Sequence, residues 1–114
     1  MTKTITREQI KEKLDAKESF TIIEALPQKY FDSAHLPGAL NIPHDEIQVR
    51  APDLVTDKDA FIVVYCANTD CQNSKIATDT LQQMGYTNVS EYVEGKKHWL
   101  EGYFPIESKN KVKL

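Results

Sequence analysis

Two cysteines, Cys66 and Cys71, lie in the segment Cys66-Ala-Asn-Thr-Asp-Cys71-Gln-Asn-Ser74. Cys66 ends the apolar run Ala60-Phe-Ile-Val-Val-Tyr65, and an amphipathic stretch opens near Gln72. A thiol placed between a buried strand and a helix N-terminus meets unpaired backbone N–H groups and the positive end of the helix dipole. Both favour the thiolate, the nucleophilic form of cysteine. The spacing therefore predicts Cys66 as a nucleophile titrating below the ordinary thiol value, with Ala67, Asn68, Thr69, Asp70 and Cys71 as a cradle around it. The competing reading is a structural cysteine closing a buried strand, a common place for this residue type.

The remaining groups that could do chemistry follow other strands. Glu24 ends the run Phe20-Thr-Ile-Ile-Glu24, and Lys96, Lys97 and His98 follow the last apolar run, so these four are expected at the rim of the same site. A solvated turn is the alternative for the lysines. His35, His44 and His98 accompany the two cysteines, residue types that can ligate zinc. The Cys-x4-Cys gap is allowed, but no second close ligand pair accompanies it, so no metal is expected.

The elements that must position these groups are legible in outline. Thr6-Arg-Glu-Gln9 has the pattern of a capping box opening a helix, with Ile10 and Leu14 on one face. Residues 20–24 form a strand stopped by Pro27, and Gln28 to Ala34 a short helix. His35-Leu-Pro-Gly38 is a turn, and Ala39 to Ile42 a strand ended by Pro43. His44 to Val49 is a helix with Ile47 inward, closed by Ala51-Pro-Asp. The strand over 60–65 is apolar without alternation and so is central. A helix from about Gln72 to Met84 has Ile76, Ala77, Leu81 and Met84 inward and Gly85 as its stop. Asn88 to Val93 is a further strand, and Lys96 to Leu100 a helical turn carrying Trp99. Strands alternating with helices imply an α/β domain with a mostly parallel sheet, whose sites gather beyond the carboxyl ends of the strands.

The chain has 114 residues, enough for one domain with its own core and no need of a metal or disulfide staple. A net charge of −3 with scattered lysines argues against a nucleic-acid scaffold. The cluster Lys109, Lys111 and Lys113 is expected to be a solvated end. No segment has the length of a membrane span or the pattern of a signal peptide, and two cysteines are too few for a secreted disulfide scaffold. The cytoplasm is the expected compartment.

Four blocks of this sequence resemble the signatures of rhodanese-type sulfurtransferase domains. Ala34-His-Leu-Pro-Gly-Ala-Leu-Asn-Ile-Pro43 is similar to the family's first signature, and Val63-Val-Tyr-Cys66 to the strand ending in its catalytic cysteine. Met84-Gly-Tyr-Thr-Asn-Val89, and Glu94-Gly-x-x-x-Trp99 with Gly102-x-x-Pro105-Ile-Glu107, are similar to its last. The resemblance covers nearly the whole chain, treated as one domain over residues 1–114. It implies a five-stranded, mainly parallel sheet flanked by helices on both faces, with the cysteine in a cradle of backbone amides. Within the signatures, Pro37-Gly38 supplies a turn, Gly95 a positive φ, Trp99 an edge of the core, and His35 a ring bonded to backbone. The chain departs from the family in two places. Where Asp-Val-Arg is frequent it has Glu24-Ala-Leu26, and its cysteine loop is about two residues longer and lacks arginine and glycine. It is similar in this to family variants with a second cysteine in the loop.

The resemblance implies sulfur transfer through a Cys66 persulfide, from thiosulfate or a small persulfide to cyanide or a thiol, a protein thiol included. No cofactor, nucleic acid or membrane is called for. Phosphatase or arsenate reductase chemistry on the same scaffold requires Cys-x5-Arg, because a guanidinium clamps the tetrahedral anion. Gln72 stands at that position, and the chain's two arginines, Arg7 and Arg50, lie elsewhere in the sequence. A non-catalytic binding module and a thiol–disulfide switch, with Cys71 resolving Cys66, are the remaining alternatives.

Overall fold

The computed structural model describes residues 3–109, so Lys111 and Lys113 lie outside the described residues. Lys109 is held at its backbone, its N–H donating to the Asp32 carbonyl at 3.0 Å. In chain order the elements are β1 (Lys3–Thr4), α1 (Arg7–Asp15), β2 (Thr21–Glu24), α2 (Gln28–Ser33) and β3 (Leu40–Asn41). A 3-10 turn (His44–Glu46), α3 (Ile47–Leu54), β4 (Ile62–Tyr65), α4 (Asn73–Gln83), β5 (Val89–Tyr92) and α5 (Gly95–Glu101) follow. The sheet order is β1-β5-β4-β2-β3, and every pairing is parallel. This is the five-stranded α/β sheet expected. The edge strand β1 has no counterpart in the sequence reading, because two exposed residues carry no period to detect.

Strand β4 is central and buried at all four positions. Its side chains alternate between two cores. Ile62 and Val64 join Ile47 and Ala51 of α3 and Ala77 and Leu81 of α4. Val63 and Tyr65 join Ile10 of α1, Phe31 of α2 and Trp99 of α5 on the opposite face. Helices therefore cover both faces, which is why the strand reads as a continuous apolar run. Each fully buried valine or isoleucine here contributes about 1.5–3 kcal/mol relative to exposure.

Helix α1 opens on the capping box: Gln9 N–H donates to Thr6 Oγ1 at 3.1 Å, and Thr6 N–H to Gln9 Oε1 at 2.9 Å. Three other expectations need correction. Pro52 lies inside α3 rather than ending it. The helix stops two residues later, so the proline removes one hydrogen bond from an element anchored by buried Ile47 and Ala51. In α4 the inner face is Ser74, Ala77, Thr78 and Leu81, and Ile76 is 45% exposed. These four lie at i, i+3, i+4 and i+7, the true helical stripe, and Thr78 Oγ1 donates to the Ser74 carbonyl at 2.7 Å, which lets a polar pair be buried. Trp99 is fully buried within the second core rather than at its edge, its indole N–H donating to the Pro105 carbonyl at 2.8 Å. No helix among the described residues is long and apolar enough to cross a membrane.

Candidate active site

The parallel register brings Glu24 of β2 level with Tyr65 of β4 and Tyr92 of β5, so Cys66 emerges at the common carboxyl edge of the sheet. Cys66 is 1% exposed. The loop beyond it curls tightly. Asn68 closes two turns, its carbonyl accepting from Cys71 N–H at 3.1 Å and its Oδ1 from Asp70 N–H at 3.0 Å. The curl brings Cys71 back to Cys66, with Cα atoms 6.4 Å apart, and the two sulfurs are joined as a disulfide.

Helix α4 begins directly beneath this pair. Gln72, its N-cap, makes no side-chain capping bond. Cys66 Sγ takes up that task, accepting from Ser74 N–H at 3.4 Å. Ser74 Oγ lies 3.2 Å from the same sulfur and donates to Glu91 Oε2 at 2.7 Å. Ser74 and Glu91 are buried, at 1% and 7% exposure. The cradle differs from expectation in one respect. The amides of Asp70 and Cys71 are consumed inside the loop, and the donor that reaches the sulfur comes from the first turn of α4.

Helix α5 clamps the loop from the other side. Lys96 and Lys97 N–H donate to the carbonyls of Cys66 and Ala67, both at 2.9 Å. This contact requires Gly95, whose φ is +74° and whose added Cβ would lie 2.7 Å from Cys66 O and 2.8 Å from Asn68 N. The sequence reading identified its positive φ; the close approach is a second reason that only the tertiary contact supplies.

The four expected rim residues separate. Glu24 has no solvent exposure and accepts from Lys96 Nζ at 3.1 Å on both oxygens, and from Tyr65 Oη at 2.6 Å. Lys96 Nζ also donates to the carbonyls of Tyr30 and Ala34 at 2.9 and 2.7 Å. The Glu24–Lys96 pair is thus a buried tie between β2, α2 and α5, not a free rim, because a carboxylate inside the fold must take the nearest cation. Tyr65 is pushed well above the ordinary tyrosine value, first by burial and then by the Glu24 charge. Lys97 is exposed and lines a shallow pocket of about 540 Å³ with Ala67, Asn68, Leu100 and Tyr103. His98 lines a neighbouring cleft with Asn68, Thr69 and Asp70, and its Nδ1 lies 2.8 Å from Tyr92 Oη. His35 is buried, with Nδ1 2.8 Å from the Phe31 carbonyl and its ring stacked on Phe31 at 3.7 Å, the structural role expected. Arg7 donates to the His98 carbonyl at 2.8 Å and so braces the far end of α5, away from the sulfur.

The sequence reading missed Ser74 and Glu91 as parts of the site. Glu91 left one signal: an acid in the middle of a run that is otherwise buried strand. Charged groups are seldom buried unless a partner awaits them.

These features together define an all-parallel α/β domain presenting a cysteine loop at the carboxyl edge of its central strand. Residues 6–102 match the rhodanese-like domain family, and the chain belongs to that family. The chain is similar to the putative sulfur carrier protein YrkF of Bacillus subtilis (strain 168), with 28% identity over 95 residues covering 83% of this chain and 49% of YrkF. It is 39% identical over 64 residues to the thiosulfate sulfurtransferase PspE of Escherichia coli (strain K12), covering 56% of this chain and 59% of PspE. The solved structure of the BH2092 protein from Bacillus halodurans shares the fold, with a TM-score of 0.87 at 18% identity over 95% of this chain and 78% of that one. The chain spans about half the length of the curated relatives it matches.

Proposed function

We propose that this domain carries sulfane sulfur on Cys66 and passes it to a nucleophilic acceptor. The observation that carries the reading is the position of the Cys66 sulfur at the end of β4, receiving the Ser74 N–H of the first α4 turn. An amide aimed at the sulfur, together with the helix dipole, favours the thiolate and then the persulfide anion. The names of YrkF and PspE, a putative sulfur carrier and a thiosulfate sulfurtransferase, support the same chemistry.

The reaction is two displacements. The Cys66 thiolate attacks the outer sulfur of thiosulfate or of a small persulfide. The new S–S bond forms as the old one breaks, and sulfite or a thiolate departs with the bonding electron pair. Cyanide or a thiolate, from a small molecule or a protein, then attacks the outer sulfur of the Cys66 persulfide and returns Cys66 as thiolate. Lys97 is the cation that flanks the loop, in a cleft it shares with His98, Asp70, Glu94 and Glu101. No step calls for a metal or organic cofactor.

A second reading, favoured by the Cys66–Cys71 bond, is a thiol–disulfide switch superimposed on transfer. Cys71 thiolate attacks the inner sulfur of the Cys66 persulfide, the disulfide forms, and hydrosulfide leaves. A dithiol reductant then reopens the pair, which suits a reducing cytoplasm. The test is intact-mass spectrometry of reduced protein incubated with thiosulfate or glutathione persulfide. A gain of one sulfur is expected, and no gain from either donor would refute sulfur carriage and favour a binding module.

A further inference from the structure

Glu91 is a buried carboxylate that the transfer steps leave unused. Its hydrogen bond from Ser74 Oγ is its single side-chain bond among the described residues, and Ser74 in turn touches the Cys66 sulfur. A serine hydroxyl has one hydrogen to give. The 2.7 Å contact with an acceptor-only carboxylate claims it, because charge-assisted O–H···O⁻ bonds are the stronger kind. What Ser74 Oγ presents to the disulfide sulfur of Cys66, 3.2 Å away, is therefore a lone pair, and the same lone pair faces the sulfur once the disulfide is reduced. A lone pair accepts from a thiol S–H and repels a thiolate.

We propose that Glu91, acting through the Ser74 hydroxyl, is a positioning residue that holds the Cys66 sulfur in its protonated form against the pull of the α4 N-terminus. The proposal rests on Cys66 being the reactive sulfur of the transfer reading. Two opposed influences then meet at one atom. The Ser74 N–H favours the thiolate, while the Ser74 Oγ lone pair and the carboxylate behind it favour the thiol. Such a balance lowers the resting thiolate fraction of a reduced nucleophile that has a helix terminus beneath it.

The other titratable groups around the sulfur are engaged or solvated, except His44, whose buried Nδ1 has no hydrogen-bond partner among the described residues. On α5, Lys96 is tied to Glu24 of β2, His98 is bonded to Tyr92, and Lys97 is exposed. On α4, Lys75 pairs with Asp79 at 3.4 Å on the surface. Asp70 of the loop and Glu94 before α5 are exposed. His44 sits on the 3-10 turn that packs against α4, and Cys71 is the sulfur's own partner. The Cys71 carbonyl lies 3.5 Å from Sγ and is a more distant acceptor for the thiol proton of the reduced form.

The experiment uses the full chain in a Cys71→Ser background, fully reduced, so that Cys66 is the one thiol. Thiolate absorbance and the rate of iodoacetamide alkylation are followed against pH for the parent, Glu91→Gln, Ser74→Ala and the double variant. A glutamine can turn its amide N–H toward Ser74 Oγ, freeing the serine hydrogen for sulfur, and it carries no charge. Glu91→Gln is expected to move the Cys66 midpoint toward acid by about one pH unit, roughly a tenfold gain in thiolate below the midpoint. Ser74→Ala should move it the same way, since the thiol loses its acceptor, and the double variant should move less than the sum. A midpoint that stays in place or moves toward alkali in Glu91→Gln overturns the proposal. Should Glu91→Gln fail to fold, Ser74→Ala alone decides, and an unmoved or alkaline midpoint overturns it. The readout is independent of sulfur loading, so a shifted midpoint in a protein that takes up no sulfur refutes carriage while leaving the Glu91 assignment standing.

Discussion

Lys96 Nζ stands 3.1 Å from each carboxylate oxygen of Glu24, a residue with no solvent exposure. The two side chains come from α5 and the end of β2, and the lysine also collects the carbonyls of Tyr30 and Ala34. One cation therefore fastens α2, β2 and α5 together, one residue from the glycine that presses on the cysteine loop.

Removing that cation leaves a buried carboxylate without its counter-charge. Lys96→Ala is expected to cost about 3–5 kcal/mol in urea unfolding. The double replacement Glu24→Gln plus Lys96→Met should cost less than Lys96→Ala alone. Lys97→Ala, on an exposed side chain, should leave stability within about 0.5 kcal/mol while reducing the salt dependence of sulfur loading from thiosulfate. A large stability loss from Lys97→Ala, or none from Lys96→Ala, would contradict this division of the two lysines.

Gly95→Ala tests the clamp on the loop. The left-handed backbone costs a non-glycine residue about 1–2 kcal/mol, and the added methyl overlaps the Cys66 carbonyl and the Asn68 amide. The midpoint of denaturation should fall by at least that much, and residual folded protein should load sulfur more slowly because the loop is displaced. Unchanged stability would mean that α5 and the loop move apart freely.

Alkaline pH should unfold the protein through its buried tyrosines. Tyr65 and Tyr92 are raised above the ordinary value, both chiefly by burial, and Tyr86 is raised by the same cause. A phenol whose pKa is higher folded than unfolded keeps its proton in the native state after the unfolded chain has lost it. Its stabilising contribution is complete below about pH 10 and is lost as pH climbs toward the folded value. Tyrosinate absorbance should therefore rise together with loss of helical circular dichroism. Ionisation of all five tyrosines well before unfolding would be the contrary result.

The two cysteines should separate cleanly. Cys66→Ser is expected to abolish sulfur loading and leave the thermal midpoint of the reduced protein nearly unchanged. Cys71→Ser should still load, and its persulfide should outlive that of the parent, because the attack that releases hydrosulfide is gone. Time-resolved intact-mass spectrometry reads both. Loading by Cys66→Ser would transfer the carrier role to Cys71.

Local sequence determined a good part of this molecule. The capping box at Thr6 and Gln9, the central strand into Cys66 and the turn glycines depend on neighbours within a few residues, and each is present as read. The sheet's parallel class followed from strands alternating with helices. Tertiary structure alone decided which side chains meet. Glu24 and Lys96 are 72 positions apart, and only the β2–β4–β5 register puts them within reach, so a reading by strand ends placed both at a rim when they form a buried pair. Ser74 and Glu91 were hidden for the same reason: a serine in the first turn of a helix looks like a cap residue until a strand sets an acid behind it. Nor could spacing decide how the loop from Cys66 to Cys71 runs. That path is fixed by the two local hydrogen bonds of Asn68 together with Gly95 pressing from α5, and the Gly95 contact exists only once the sheet has formed.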